Sequence, residues 1–292
     1  TNLILNRLPP RIQFVSSGVF LWYFLEQNMI KGTISKLGTK HEETVKYSLK
    51  LGEEVVELNE LVGKELKLEF TQNIYCIDTG KKIKKSYGQG YSWESFVTLP
   101  ECDTCIVKPE LCHYSNGTCR DPEWGEKHCL QPHIIYLANS SQLKVGITRK
   151  VNVPHRWMDQ GAVFALPILE VKDRRTSGLI EIEIAKKFGD KTNWRKMLKN
   201  DNEDIDLVAA RETVFTEFDE LITKHGAKKI NEDVLSFEYP AIKYPEKVSS
   251  LNLLKKPVIE STLLAVKGQY LIFECGALNM RKHQGYEVTL DF

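Results

Sequence analysis

Two groups of residues in this sequence are of a kind that does chemistry. The first is CDTCIVKPELCHYSNGTCRDPEWGEKHC, residues 102–129. Cys102 and Cys105 form a CxxC pair, Cys112, Cys119 and Cys129 follow, and His113 and His128 stand beside them. Zn2+ takes four soft or borderline ligands in a tetrahedron, and one CxxC turn supplies two of them. There are five cysteines for four places, so the sequence leaves the spare one undecided. A redox CxxC is the competing functional reading, but such a pair normally opens a helix after a strand, and Cys105 runs into IVKPE. Buried free thiols are the plain alternative. A closed structural zinc site is the better reading, stapling a segment too small to fold around its own core.

The second group is Tyr136, Lys144, Thr148, Arg149, Arg156 and Glu181. A glutamate can hold a divalent cation, an arginine can stabilise phosphate charge, and a tyrosine or lysine can position or deprotonate a water. Together these suit phosphodiester chemistry. A polar sheet face without chemistry is an equally good reading of the same residues. Further along, Asn279, Arg281 and His283 alternate as if on one strand face, where they would contact nucleic acid or simply face solvent. The run KKIKK at 81–85, followed by Tyr87 and Tyr91, could track a phosphate backbone, although a solvated basic loop explains it better.

The elements that must position the second group are legible. IIYLA and LKVGIT, joined by residues 139–142, read as a β-hairpin. Alternation sends Leu143, Val145 and Ile147 to the core and leaves Lys144, Gly146 and Thr148 on the other face, where Tyr136 joins them. Gly146 lets something approach the backbone closely. A helical turn carrying Arg156 and Trp157 stops at Gly161. After the strand AVFALPILEV, a helix runs from about Thr176 to Phe188 and ends at Gly189. Its apolar stripe is Ile180, Ile184 and Phe188; Glu181 lies roughly 60° from the stripe's centre and Glu183 roughly 100°, at 100° per residue. Glu181 is therefore the carboxylate held nearer the packed boundary.

Around this core, TVKYSLKL and ELKLEF alternate as strands, and residues 204–224 form a helix with Leu207, Val214, Phe218 and Leu221 inward. Trp194 and Arg195 are expected to lock the core helices together. The reading is α+β: an extension or arm at 1–28, an N-terminal β unit at 29–75, a loop-rich zinc-binding segment at 76–132, a hairpin-and-helix core at 133–200, a helical connection at 201–240 and a C-terminal β unit at 241–292. Forty Lys+Arg against 39 Asp+Glu give a net charge of +1, which argues against a bulk polyanion binder but leaves room for a local basic patch. Seven cysteines, five of them crowded together, fit metal binding in a reducing cytoplasm better than a disulfide framework. The longest apolar run, Val15 to Leu25, is too short to span a bilayer, and no small-residue cleavage site follows it.

IIYLANSSQLKVGITR, then Arg156, then LIEIEIAKKF resemble the GIY-YIG endonuclease core: a hairpin, a helix with an arginine and a later helix with a metal-binding glutamate. More closely, the cysteine segment, KVGITR, RWMDQGA, DKTNWR and KGQYLIFECGALNMRKHQGYEV are similar to an uncharacterised bacterial family, a domain of unknown function. That family sets a cysteine cluster ahead of a GIY-YIG-like core, and the likeness spans roughly residues 29–292. It implies a small mixed sheet with helices, preceded by a zinc knuckle. Tyr136 matches the tyrosine region of the first motif, and Lys144, Val145 and Gly146 occupy the second, with lysine where a tyrosine is usual. Arg156 matches the helical arginine and Glu181 the metal-holding glutamate. The implied activity is on nucleic acid, DNA or RNA, as a Mg2+- or Mn2+-dependent phosphodiesterase; Thr148, Arg149, Arg281 and His283, read from their own types and places, are the candidate nucleic-acid contacts. Two other readings stay open: a zinc-containing nucleic-acid-binding module that kept the fold and lost cleavage, and a thiol redox protein. The family often carries a further zinc ribbon where this chain reads CIDTGKKIKKSYGQGYSWES; only Cys76 remains there, so no metal is expected at that place.

Overall fold

The computed structural model describes residues 29–292, so the expected arm at 1–28 lies outside the described residues. The longest strand, Glu65–Tyr75, shows how the body is built. Leu66, Leu68 and Phe70 are buried while Glu65, Lys67 and Glu69 stay exposed, as a pleated strand with one wet face requires. It is flanked by Tyr286–Asp291 and Val258–Lys267, both antiparallel. The sheet continues outward through Met29–Thr33 on one side and through Tyr270–Phe273, Gly276–Asn279 and Ser250–Leu251 on the other. The two β units read at the chain's flanks therefore share one sheet, and strands from 29–75 and from 258–291 interleave within it. A three-stranded sheet, Gly38–Lys40, Lys46–Leu51 and Glu54–Glu57, contributes Tyr47, Leu49 and Leu51 to the same core.

The hairpin forms as its alternation and turn indicate, with strands His133–Asn139 and Leu143–Arg149 paired in register, Tyr136 opposite Gly146. Phe164–Val171 pairs with the outer side of His133–Asn139, making this the inner strand of a second antiparallel sheet. All seven residues of His133–Asn139 are buried. Ile135 and Leu137 pack with Val145, Ile180, Ile184 and Val214 on one side, while Ile134, Tyr136 and Ala138 join Trp157, Phe237 and the large-sheet core on the other. The face expected to be polar and open is thus covered by the body of the protein. The near-continuous apolar run HIIYLA carries that information, because a strand covered on both faces loses its alternation.

The helix after Phe164–Val171 runs from Arg174 to Phe188. It starts two residues earlier than expected because the Asp173 side chain caps it, accepting the Thr176 N–H at 2.7 Å. Residues 204–224 were expected as one helix and form two, Leu207–Glu217 and Asp219–Lys224, broken at Phe218. Leu207, Val214, Phe218 and Leu221 face the core as expected, the last two partly buried, and past the break Ile222 is the residue fully buried there. Trp194 stacks on Tyr270, ring centroids 6.1 Å apart, and so ties its segment to the large sheet instead of bridging the core helices.

The cysteine-rich segment is a chain of single turns, among them the short helices Thr104–Val107 and Pro122–His128. It docks on the start of the helix Arg174–Phe188. The Arg174 backbone N–H donates to the Cys129 carbonyl at 2.9 Å, and the Arg174 guanidinium donates to the Ile106 carbonyl. Gly178 makes the approach possible: a Cβ there would lie 2.6 Å from the Pro109 Cβ.

Candidate functional site

Four elements bring polar side chains into one cluster, in which Tyr136 and Lys144 are buried and Arg156 and Glu181 half-buried. Tyr136 comes from the inner strand, Lys144 from its hairpin partner, Arg156 from the short helix His155–Asp159, and Glu181 from the second turn of Arg174–Phe188. The gap left by Gly146 is filled from within: a Cβ there would stand 2.6 Å from the Tyr136 hydroxyl, so the tyrosine ring lies across the glycine. The ring is fully buried and meets Trp157 edge-on, centroids 5.7 Å apart.

Electrostatics link the four. Burial pushes the Tyr136 phenol up, with the Arg156 guanidinium opposing and Glu181 reinforcing the rise. Burial pushes Lys144 down to about 7; Arg156 lowers it further, while Glu181 and Asp190 act the other way. Glu181 is pushed up to about 7 by burial and then by Asp190, with Arg156 and Arg174 opposing. A buried lysine and a buried carboxylate are thus both poised near neutrality, close to the same guanidinium. A half-buried carboxylate whose proton affinity a second carboxylate raises is a fitting place for a cation, which would supply the missing positive charge.

Sequence reasoning missed Gln160, Asp190 and Arg174 as members of this environment. Gln160 has the largest part: its Oε1 accepts from the Tyr136 hydroxyl and from Lys144 Nζ, each at 2.8 Å. It lies in the RWMDQGA segment next to Gly161, so its signal was proximity to Arg156 and nothing in its own type. Asp190 directly follows the helix-ending Gly189.

The proposed nucleic-acid contacts are scattered. Thr148 is buried opposite Ile134. Arg149 is half-buried at the far end of the hairpin, where its charge acts on Cys129 and His133. Arg281 is half-buried, donates to the Gln89 side chain, and has its proton affinity lowered by burial and then by the charge of Arg156. His283 does not sit on a strand face beside it. The strand ends at Asn279, and Arg281–His283 is a tight turn that folds the imidazole inward. Its Nδ1 bonds the Asn279 carbonyl at 2.8 Å, its Nε2 accepts the Leu253 N–H, and burial pushes its pKa down, so the ring is a neutral structural link. Tyr87 packs against Trp93 and Phe96 with Lys85 over its face, leaving it committed to its own loop.

In the cysteine segment, Cys105, Cys112, Cys119 and Cys129 line a single small cavity with Asp103 and His113. Cys102 does not line it; burial and the neighbouring Glu101 carboxylate push its thiol up, against the Arg120 guanidinium. Burial pushes Cys105 up to about 12, with Asp103 and Cys112 adding to it. Cys129 is pushed up by burial, against Arg174, and by Cys112 and Cys119. All seven cysteines are free thiols. Asp103, Cys105 and His113 place one ligand atom each within 4.8 Å of one another, a group that could hold a metal ion. No helix among the described residues is long and apolar enough to cross a membrane.

A family described as "Protein of unknown function (DUF2797)" matches residues 63–288, the span that holds both the polar cluster and the cysteine cavity. No curated protein and no solved structure matches the chain.

Proposed function

The chain belongs to the DUF2797 family, and within it we propose a nucleic-acid-acting protein whose GIY-YIG-like core is a divalent-metal-dependent phosphodiesterase. One observation carries the reading: Tyr136, Lys144, Arg156 and Glu181, matched separately to that core, share one buried environment in which lysine and glutamate both titrate near 7. A Mg2+ or Mn2+ held by Glu181 supplies Lewis-acid stabilisation of phosphate charge. Arg156 faces the same place and takes up the charge that develops on the non-bridging oxygens. Lys144, at home near its pKa at neutrality, holds or accepts the proton of an attacking water, and Tyr136 orients that water. Lysine in the second motif is therefore compatible with turnover. Purified protein incubated with DNA and RNA panels and Mg2+ or Mn2+ tests this. Cleavage that survives Glu181→Ala and Arg156→Ala would remove the residue assignment.

The second reading, a module that binds nucleic acid without cleaving it, is favoured by the depth at which Lys144 is buried. It predicts salt-dependent binding with no turnover by any panel member.

The cysteine cavity is read as a structural Zn2+ site of Cys105, Cys112, Cys119 and Cys129, with Cys102 the spare thiol. Four thiols around one space, with the proton affinities of Cys105 and Cys129 raised by burial and by their neighbours, fit a dication that would replace the missing counter-charge. Asp103 is the weaker candidate, since its carboxylate already holds Arg120 Nε at 2.7 Å and the Cys105 N–H. Elemental analysis should give one zinc per chain, retained in Cys102→Ser and lost in Cys119→Ser. A cytoplasmic setting, which keeps such thiols reduced, goes with this reading.

A further inference from the structure

Gln160 is neither charged nor nucleophilic, yet it hydrogen-bonds two members of the cluster. It caps the helix His155–Asp159 and lies one turn beyond Arg156 on the same face. Gly161 lets the chain turn directly after it: that residue has φ +68°, and a Cβ there would meet Met197 Sδ at 2.6 Å. From there one carboxamide oxygen receives both the Tyr136 hydroxyl and Lys144 Nζ at 2.8 Å. An ammonium can only donate, so the amide must present its oxygen, and both of that oxygen's lone pairs are then used.

We propose that Gln160 is a positioning residue: its amide oxygen clamps the Tyr136 hydroxyl and the Lys144 amine to one point, so that both aim at the same water or phosphate oxygen. This rests on the phosphodiesterase reading for its purpose, and on the two hydrogen bonds alone for the clamp. The choice of amide over carboxylate matters. A glutamate of the same shape would keep the acceptor and hold Lys144 as an ammonium, removing its capacity to take a proton. A leucine would fill the space and release both donors. The low proton affinity of Lys144, about 7, accords with a neutral partner at this position.

The test compares Gln160→Leu and Gln160→Glu with the unaltered protein in two independent measurements. In steady-state cleavage, Gln160→Leu should lower kcat on the order of 10²-fold, the cost of misplacing a reacting group by about 1 Å, with KM little changed. Gln160→Glu should lower kcat as well, although its shape is conserved. Without any substrate, the 15Nζ resonance of Lys144, identified by its loss in Lys144→Met, is read at pH 7. It should move towards the amine position in Gln160→Leu and towards the ammonium position in Gln160→Glu, and the Tyr136 ring resonances should move in both. A residue that merely filled space would not shift the lysine in opposite directions. Unmoved Lys144 and Tyr136 resonances in both variants overturn the clamp. If no nucleic acid is cleaved by the unaltered protein, the phosphodiesterase reading falls while the resonances still decide the clamp. Should Gln160→Leu fail to fold, the isosteric Gln160→Glu decides alone.

Discussion

Lys144 and Lys267 sit on different sheets, and burial pushes both down to about 7. Each gives one hydrogen bond to a side-chain amide oxygen, Lys144 to Gln160 at 2.8 Å and Lys267 to Asn200 at 2.7 Å. Their company differs. Burial is the whole cause at Lys267, whose ammonium lies over the rings of Tyr239 and Tyr244, 5.2 and 5.7 Å from their centroids. Lys144 also answers to Arg156, Glu181 and Asp190, and shares its acceptor with Tyr136. A displaced proton affinity reports depth. A site needs, in addition, groups of complementary role meeting at one place.

The sharpest way to break this comparison is to remove the partners that only Lys144 has. Glu181→Ala or Arg156→Ala should lower cleavage by on the order of 10³-fold, whereas Lys267→Met should leave the rate within about twofold. Comparable losses in steady-state assays would erase the distinction. Lys144→Met should cost about 10²- to 10⁴-fold, the range of a lost acid–base group. On the phosphodiesterase reading, the unaltered protein should gain rate as pH rises through about 7, where Lys144 loses its proton and Glu181 gains its charge together. A pH–rate profile of Lys144→Met should lack the lysine's share of that rise.

A smaller effect tests what the two lysines have in common. Each has a folded pKa near 7 against an ordinary 10.5, so between these values the unfolded chain binds more protons and stability rises with pH. Glu181, near 7 against 4.5, makes the folded chain the better proton binder, so its contribution falls as pH rises from 4.5 to 7. Denaturant midpoints should therefore pass through a minimum near neutrality and climb on the alkaline side, by at most about 1.4 kcal/mol per pH unit for each lysine. Lys267→Met and Lys144→Met should each remove a similar part of that climb. A flat alkaline limb in the unaltered protein would show that neither lysine is displaced.

The parts of the site that were legible are those whose signal is local. Alternation and the 139–142 turn give the hairpin, and the i, i+4, i+8 stripe places Glu181. Gln160 could not be read, because its role comes from contacts 16 and 24 residues away and an amide before a glycine has no signature of its own. The merging of the two flanking β units was hidden for a related reason: alternation identifies a wet and a dry face but names no partner strand. The inward turn of His283 was misread because three alternating polar residues look the same in a strand and in a tight turn that follows one. Among five cysteines, only the fold separates Cys102 from the four that share a cavity.

The interleaved sheet also sets an order of assembly on the ribosome. The hairpin, the strand Phe164–Val171 and the helix Arg174–Phe188 can meet soon after they emerge, since these elements lie within 133–188 and pack on one another through Ile135, Leu137, Val145, Ile180 and Ile184. The strand Glu65–Tyr75 emerges earlier but waits, both edges open, for Val258–Lys267 and Tyr286–Asp291. Until those arrive, the Tyr136 side of the hairpin has no large sheet to rest on, and Arg281 has not been made. A nascent chain stalled before residue 258 would carry all four motif-matched side chains and still lack the body that buries them.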